Sequence, residues 1–553
     1  MLVGLLSQSV EVQAATPAWT AYVANAGSNS VTPINVATNT PGTAITVGTQ
    51  PYAIAITPNG TTAYVANFAS DDVTPINLAT NTPGTAITVG TYPFAIAITP
   101  NGTTGYVVNS NSGNVTPITL ATNTPGTAIT VGTQPYAIAI TPNGTTAYVA
   151  NAGSGTVTPI TLATNTPGTA ITVGTNPEAI AITPNGTTAY VANFGSNNVT
   201  PINLATNTPG TAITVGTGPL GIAITPNGTT AYVTNHGSNN VTPINLSTNT
   251  PGTAISVGTP PFAIAIAPDG SSAYVTILGS NNVIPINLAT HTAGTAIIVG
   301  ANPSRIAITP DQAPVAALSV TAAAAGSASS FDASASTVTF GAITNYAWNF
   351  GDASTAATST PTTTHTYTAA GNYTASVTET DSAGTSTTQV FTGQTMSLNG
   401  GPSASISKPL VVPLATTTPT TTSLSASPTS ITQGQSVTLT ATVSPSSATG
   451  TVNFEVGGVS ISGCSTQPLS SGTSTCVTSS LAVGSDSVTA VYSGGPADAS
   501  STSSPVVVTV SAGLPAASGP PLSRPLPLLP LGLLILGLSV ALGTAMLRRR
   551  SAG

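Results

Sequence analysis

Charge is what this sequence lacks most. Only 3% of its 553 residues are Asp, Glu, Lys or Arg, against about 25% in an average soluble protein. Lys408 is the single lysine among six basic residues, so no basic surface exists to neutralise phosphates, and nucleic-acid binding is excluded. Three histidines and thirteen carboxylates show no cluster at metal-ligand spacing. Little is left for catalysis, a metal or any other cofactor. With so few titrating groups, stability is expected to vary little with pH. The two cysteines, Cys464 and Cys476, lie twelve residues apart in one β-rich segment. In an exported protein that spacing reads as a local disulfide, the alternative being two small buried thiols.

Polarity comes instead from Thr, Ser and Asn, punctuated by 54 glycines and 46 prolines. Such a mixture favours strands and turns over helices, and the length calls for several domains.

The first 310 residues repeat. The tyrosine of a Tyr-Val-x-Asn unit stands at 22, 64, 106, 148, 190 and 232, with Tyr274 in a degenerate seventh copy, a step of 42 throughout. Each copy reads as four short strands, for example Ala179–Thr183, Ala189–Asn193, Asn198–Leu204 and Thr211–Val215. Four strands per repeat of about 40 residues is a propeller signature. The repeats begin on a second strand, Ala21–Asn25, and end on a lone first strand, Arg305–Thr309. The last strand can therefore complete the first blade and close the ring. A proline inside every third strand, from Pro33 and Pro75 to Pro285, conflicts with an interior strand unless a bulge or a short partner accompanies it. Asn-Gly-Thr at Asn59, Asn101, Asn143, Asn185 and Asn227 matches a glycosylation acceptor, but reads better as a tight turn.

Tyr232-Val233-Thr234-Asn235 and its surroundings resemble the YVTN family of β-propeller repeats, whose members are commonly surface or secreted proteins. Trp348-Asn349-Phe350-Gly351-Asp352, His365-Thr366-Tyr367 and Gly371-Asn372-Tyr373 resemble the core of a PKD domain, an immunoglobulin-like spacer, over residues 313–393. That resemblance makes Asp352 and His365 structural. Residues 394–422 read as a Pro/Ser/Thr-rich linker. Residues 423–511, carrying Gly450-Thr451-Val452-Asn453-Phe454 and Val488-Thr489-Ala490-Val491-Tyr492, are similar to a bacterial Ig-like repeat domain. The expected fold is all-β: a seven-bladed β-propeller (16–312), two immunoglobulin-like β-sandwich domains and one C-terminal transmembrane helix.

That helix is read from Leu526–Leu547, which contains no charge and precedes Arg548-Arg549-Arg550. As a helix it spans about 33 Å, and the arginines place residues 548–553 in the cytoplasm and everything before the span outside. Residues 512–525 form a Pro/Ser-rich linker before it. A sortase signal is disfavoured because Leu514-Pro515-Ala516-Ala517-Ser518-Gly519 has one residue too many and no threonine. Residues 1–15 read as a truncated signal peptide.

Comparison among the copies locates a candidate site. The turns after the first and third strands hardly change. Before the first strand, however, stand Tyr52, Phe94, Tyr136, Glu178, Leu220, Phe262 and Ser304. After the second stand Ala26, Phe68, Ser110, Ala152, Phe194, His236 and Leu278. Both loops fall on one face, so variation marks a recognition surface. Its aromatics either stack on a sugar or fill a protein pocket, or simply pack between blades. The expected partners are an extracellular carbohydrate or protein, and the membrane through the C-terminal helix. The expected function is adhesion or ligand binding without catalysis, on a single-pass cell-surface protein. A structural surface-layer role with self-association is the alternative. A lyase resembling the streptogramin lyases would need a histidine and a glutamate near the axis. Only Glu178 and His236 qualify, since His291 falls on the opposite face.

Overall fold

The computed structural model describes residues 19–391 and 397–513. The signal-peptide and transmembrane readings (1–15 and 526–547) lie outside them. Among the described residues no helix is long and apolar enough to cross a membrane.

Seven antiparallel sheets repeat along the first 310 residues, six of them made of strands consecutive in the chain. Alternating small and branched residues build the first strand, as in Pro51–Ile56, where Ala53 and Ala55 are buried between blades. Thr62–Asn67, the second strand, is buried on both faces apart from Thr62. The ring closes as the sequence suggests: Pro303–Ile308 pairs with Thr20–Asn25 through Ala21↔Ile308, Tyr22↔Ala307 and Val23↔Ile306. No long unpaired inner edge remains.

The proline conflict resolves in the fourth strand, which is broken. Thr82–Pro83 pairs with Ile76 and Asn77, and Ile87–Thr88 pairs with Asp72 and Val73. Pro75 faces the gap. Its carbonyl accepts from Gly84 N at 2.7 Å, and its nitrogen, which carries no hydrogen, points the same way into the gap, where no ladder donor is required. The same 2.7 Å bond recurs from Gly42 to Pro33 and from Gly294 to Pro285. The single fourth strand expected at Thr211–Val215 is accordingly two pieces, Thr208–Pro209 and Ile213–Thr214.

The Asn-Gly turns also differ in detail from expectation. Gly60 alone takes positive φ, at +69°, while Asn59 Oδ1 accepts from Thr57 Oγ1 at 2.7 Å and Thr61 N at 3.2 Å. Asparagine acts here as a side-chain cap rather than a left-handed residue.

Two buried devices tie the repeats together. The asparagine of each Tyr-Val-x-Asn unit bridges strands within its blade: Asn193 Nδ2 donates to Asn198 Oδ1 at 2.8 Å and Thr200 Oγ1 at 2.9 Å. The tyrosine latches blade to blade. Tyr148 Oη donates to Asn207 Oδ1 at 2.8 Å, Asn207 being a left-handed turn residue (φ 55°) of the next copy. Tyr274 closes the series on Asn39 at 2.7 Å, and His291 replaces the asparagine opposite Tyr232 at 3.0 Å. Burial raises the Tyr148 hydroxyl above its ordinary pKa, which keeps it a donor. Tyr148→Phe is expected to cost about 1 kcal/mol. Chemical denaturation measures it; an unchanged stability would show that the latch contributes nothing.

The PKD region packs Phe331, Trp348, Phe350 and Tyr367 between two small sheets. His365 stacks on Phe350 at 4.2 Å and pairs with Asp352 at 2.7 Å, the structural role expected of both. The linker reading of 394–422 is corrected here. Ser405–Val412 is a strand paired along its whole length with Gly371–Thr378, because Leu410 and Val412 alternate into the core.

The Ig-like region is a separate compact unit beginning at Thr416. Thr421–Ser427, Val437–Ser444 and Thr473–Thr478 form one sheet, and Ser430–Thr432, Val506–Ser511, Gly484–Tyr492 and Thr451–Val456 are the main strands of the other. Leu439, Phe454 and Tyr492 fill the interior. Cys464 and Cys476 form the expected disulfide.

Candidate functional site: the axial mouth of the propeller

Every first strand opens with a bulge. Pro51 pairs with Asn67 and Ala53 with Ala66, which leaves Tyr52 as the extra residue. Phe94, Tyr136, Glu178 and Leu220 hold the same place in their blades. A bulge turns the extra side chain out of the sheet, so the positions that vary among copies are those aimed at the mouth of the axis. The loop after the second strand joins them, since Phe68 N donates to Gln50 O at 2.8 Å. The two variable loops share one face, as expected.

Four of the aromatics form an arc over the axis. Phe262 meets Tyr52 edge-on at 5.6 Å, Tyr52 meets Phe94 at 4.4 Å, and Phe94 stacks on Tyr136 at 4.2 Å. Phe262 and Tyr52 touch across the first blade because Ser304 is small and buried there. Phe94 is only 8% exposed. These rings therefore pack on one another. Phe194 lies apart, against Gly218, where an added Cβ would come within 2.9 Å of the ring.

Beneath the arc lies a residue that comparison of the loops missed. Where other first strands carry Ala53, Ala95, Ala137 or Ala179, the closing strand carries Arg305. The repeat alignment contains this signal, as the one charge at an otherwise small axial position. Arg305 Nη2 donates to Tyr136 O at 3.2 Å, and its guanidinium lies 5.6 Å from the centre of Phe94, a cation–π arrangement. Its Nε is buried with no partner among the described residues. An axial cavity of about 30 Å³, reached by all seven inner strands, lies alongside, with room for roughly two waters.

Glu178 sits in the same mouth. Burial pushes its carboxyl up to about 7, against a smaller downward pull from Arg305. Tyr52 and Tyr136 are raised mainly by burial, with Glu178 a lesser contributor. The structure does not bring His236 into this group. It is half-buried, with Nδ1 lacking a partner among the described residues.

This environment revises the expectation of a flat pH profile. A carboxyl raised on folding contributes most below its unfolded value of 4.5, and that contribution is lost as the pH rises to about 7. Allowing for partial exposure, the propeller is expected to lose about 1–2 kcal/mol over that interval. Glu178→Gln should reduce the slope in thermal unfolding, the rest coming from other buried carboxyls such as Asp381, also raised to about 7 by burial; an identical slope in the variant would exclude Glu178 as a source.

Beside the arc runs a groove of about 620 Å³. Phe68, Tyr92, Phe94 and Tyr136 line it together with Ser110, Asn111 and Gln134. Tyr92 stacks on Phe68 at 4.4 Å yet remains 44% exposed. Its backbone is left-handed, at φ 55°, a strained state for a bulky residue. Asp71 Oδ1 holds it there by accepting Tyr92 N at 2.8 Å. Gln50, Gln134, Asn176 and Asn302 share that conformation at equivalent positions, so the strain lies on one rim.

Comparison with known proteins agrees with the domain order. Residues 311–395 match the model of the PKD domain, and residues 424–511 match that of the bacterial Ig-like domain (group 3). No curated protein matches the chain. Among solved structures, hydrazine synthase of Kuenenia stuttgartiensis is similar at 24% identity and a TM-score of 0.46, over 52% of this chain and 99% of that one. A functionally unknown protein of Desulfotomaculum acetoxidans DSM 771 is similar at 19% and 0.47, over 52% and 98%. A putative 6-phosphogluconolactonase of Bacteroides uniformis ATCC 8492 gives 17% and 0.46, over 52% and 99%. The fold assignment rests on the strand registers and the ring closure. The chain is a seven-bladed, YVTN-like propeller followed by a PKD domain and a bacterial Ig-like domain, an architecture of extracellular surface proteins.

Proposed function

We propose that the chain is a non-catalytic surface receptor or adhesin that presents its propeller's variable face to an extracellular carbohydrate or protein. The observation that carries this reading is the groove beside the axial mouth. Aromatic faces, side-chain amides and a hydroxyl meet there around Tyr92, a strained and exposed ring, while the opposite turns repeat almost unchanged. Flat apolar surfaces interleaved with neutral hydrogen-bonding groups suit sugar rings, and equally the aromatic hot spots of a protein interface. The PKD and Ig-like domains act as a stalk, and Leu526–Leu547 with its arginine tail supplies a single-pass anchor. Glu178 and Arg305 are assigned to shaping the mouth rather than to chemistry. Lyase activity abolished by His236→Ala would refute that assignment.

An array of glycans and envelope extracts probed with the full-length chain tests the proposal, saturable binding being the expected result. The second reading, a structural envelope component, draws on the propeller's uncharged rim, where hydroxyl pairs such as Thr80–Thr82 and Thr248–Thr250 (2.7 Å each) recur from blade to blade. Absence of binding together with ordered self-association would favour it.

A further inference from the structure

The propeller axis gathers hydrogen-bonding groups that the sheets leave over. In each blade the first strand is innermost, against the first strands of its neighbours, and pairs on one side only. Thr57 N donates to Thr62 O at 2.9 Å, in register with Ala55↔Tyr64 and Ala53↔Ala66. The alternation of an antiparallel ladder therefore turns the N–H and C=O of Ile54 away from the second strand and toward the axis. The Ile54 side chain belongs to the core between blades, so what this residue brings to the axial cavity is its backbone. Ile96, Ile138, Ile222, Ile264 and Ile306 repeat the arrangement around the same cavity. Each presents a donor and an acceptor that need a partner, a balance that water alone would suit.

Arg305 breaks that balance. It brings into this cavity the one lysine or arginine of residues 16–312. Its Nη2 makes a long bond to Tyr136 O, 3.2 Å, and its Nε is enclosed without a partner among the described residues. No carboxylate pairs with it, since the ion pair of His365 with Asp352 is the only one among the described residues. Glu178 is the sole carboxylate that acts on it, and burial leaves that carboxyl half-protonated at neutral pH. A guanidinium donates and accepts nothing, and a buried one without counter-charge is costly.

We infer that the axial cavity holds a monatomic anion of the halide class, bound by the Arg305 guanidinium and the N–H groups of the inner-strand isoleucines. A cavity of about 30 Å³, with room for roughly two waters, accommodates chloride and excludes sulfate or phosphate. The ion neutralises the arginine beneath Phe94 and Tyr136. It also ties the closing strand, which carries Arg305, to the inner strands of the other blades, so ring closure and the floor of the aromatic arc depend on halide.

Thermal unfolding of the full-length chain in sodium chloride, bromide and gluconate at equal ionic strength tests this, run beside Arg305→Ala. Anomalous diffraction from crystals grown in bromide locates the ion in both. Arg305→Ala restores the residue found at Ala53, Ala95, Ala137 and Ala179 and should keep the fold. The parent's midpoint, measured against the variant's, is expected to rise saturably with chloride or bromide and to stay flat in gluconate. One bromide should stand on the axis beside the guanidinium, and none in the variant. An axis holding only water in the parent would overturn the inference, whatever the variant does. So would bromide retained on the axis of Arg305→Ala, an identical response of parent and variant to all three salts, or a gluconate response equal to that of chloride, the mark of ionic strength alone.

Discussion

Gly174→Ala is expected to destabilise the propeller by about 4 kcal/mol. An added Cβ would stand 2.6 Å from Cγ of Asn193, and Asn193 has nowhere to go. It is fully buried, its Nδ2 is committed to Asn198 and Thr200, and its Oδ1 accepts from Gly174 N itself at 3.2 Å. Relieving the clash means overpacking, at about 1–3 kcal/mol, and breaking buried hydrogen bonds, at a similar cost. The chain contains its own control. In the degenerate copy the asparagine is replaced by Ile277, and Gly258, freed from it, adopts φ +79° with nothing within 4 Å of an added Cβ. Gly258→Ala should cost only the left-handed backbone penalty, about 1 kcal/mol. Chemical denaturation of the two variants checks the pair. Equal losses would mean that the glycine–asparagine contact does not set blade packing.

Tyr92→Gly is expected to lose ligand binding while keeping the fold. Glycine adopts the φ of 55° without strain, a gain of about 1 kcal/mol. Loss of the stacking on Phe68 offsets it by a comparable amount, so the thermal midpoint should hardly move. A ring at the centre of a binding groove contributes about 2 kcal/mol or more to affinity, roughly thirtyfold. A residue serving only the fold would show the reverse, a lowered midpoint and unchanged binding.

Much of this was legible in the residues. A constant step of 42 exposes the blades, and the offset between the first and last strands exposes the closure. What escaped depended on partners that periodicity does not reveal. The interior prolines announce a conflict, but only the pairing shows the fourth strand parting around them. Ser405–Val412 was hidden among prolines and threonines, although Ile406, Leu410 and Val412 keep a period of two. The variable residues are visible in the comparison of the copies; that those before the first strand are bulge residues, and that Tyr52, Phe94, Tyr136 and Phe262 among them stack into an arc over Arg305, depends on register and side-chain reach. Low overall charge suggested pH-insensitivity, whereas one buried carboxyl, Glu178, is enough to give a slope.

The most direct test of the recognition face is a binding isotherm of the full-length chain on the glycan or envelope component that retains it, measured beside Tyr92→Gly. Saturable binding by the parent chain, weakened roughly thirtyfold in a variant of equal thermal midpoint, is the expected result. Indistinguishable isotherms would contradict a binding site in the groove around Tyr92.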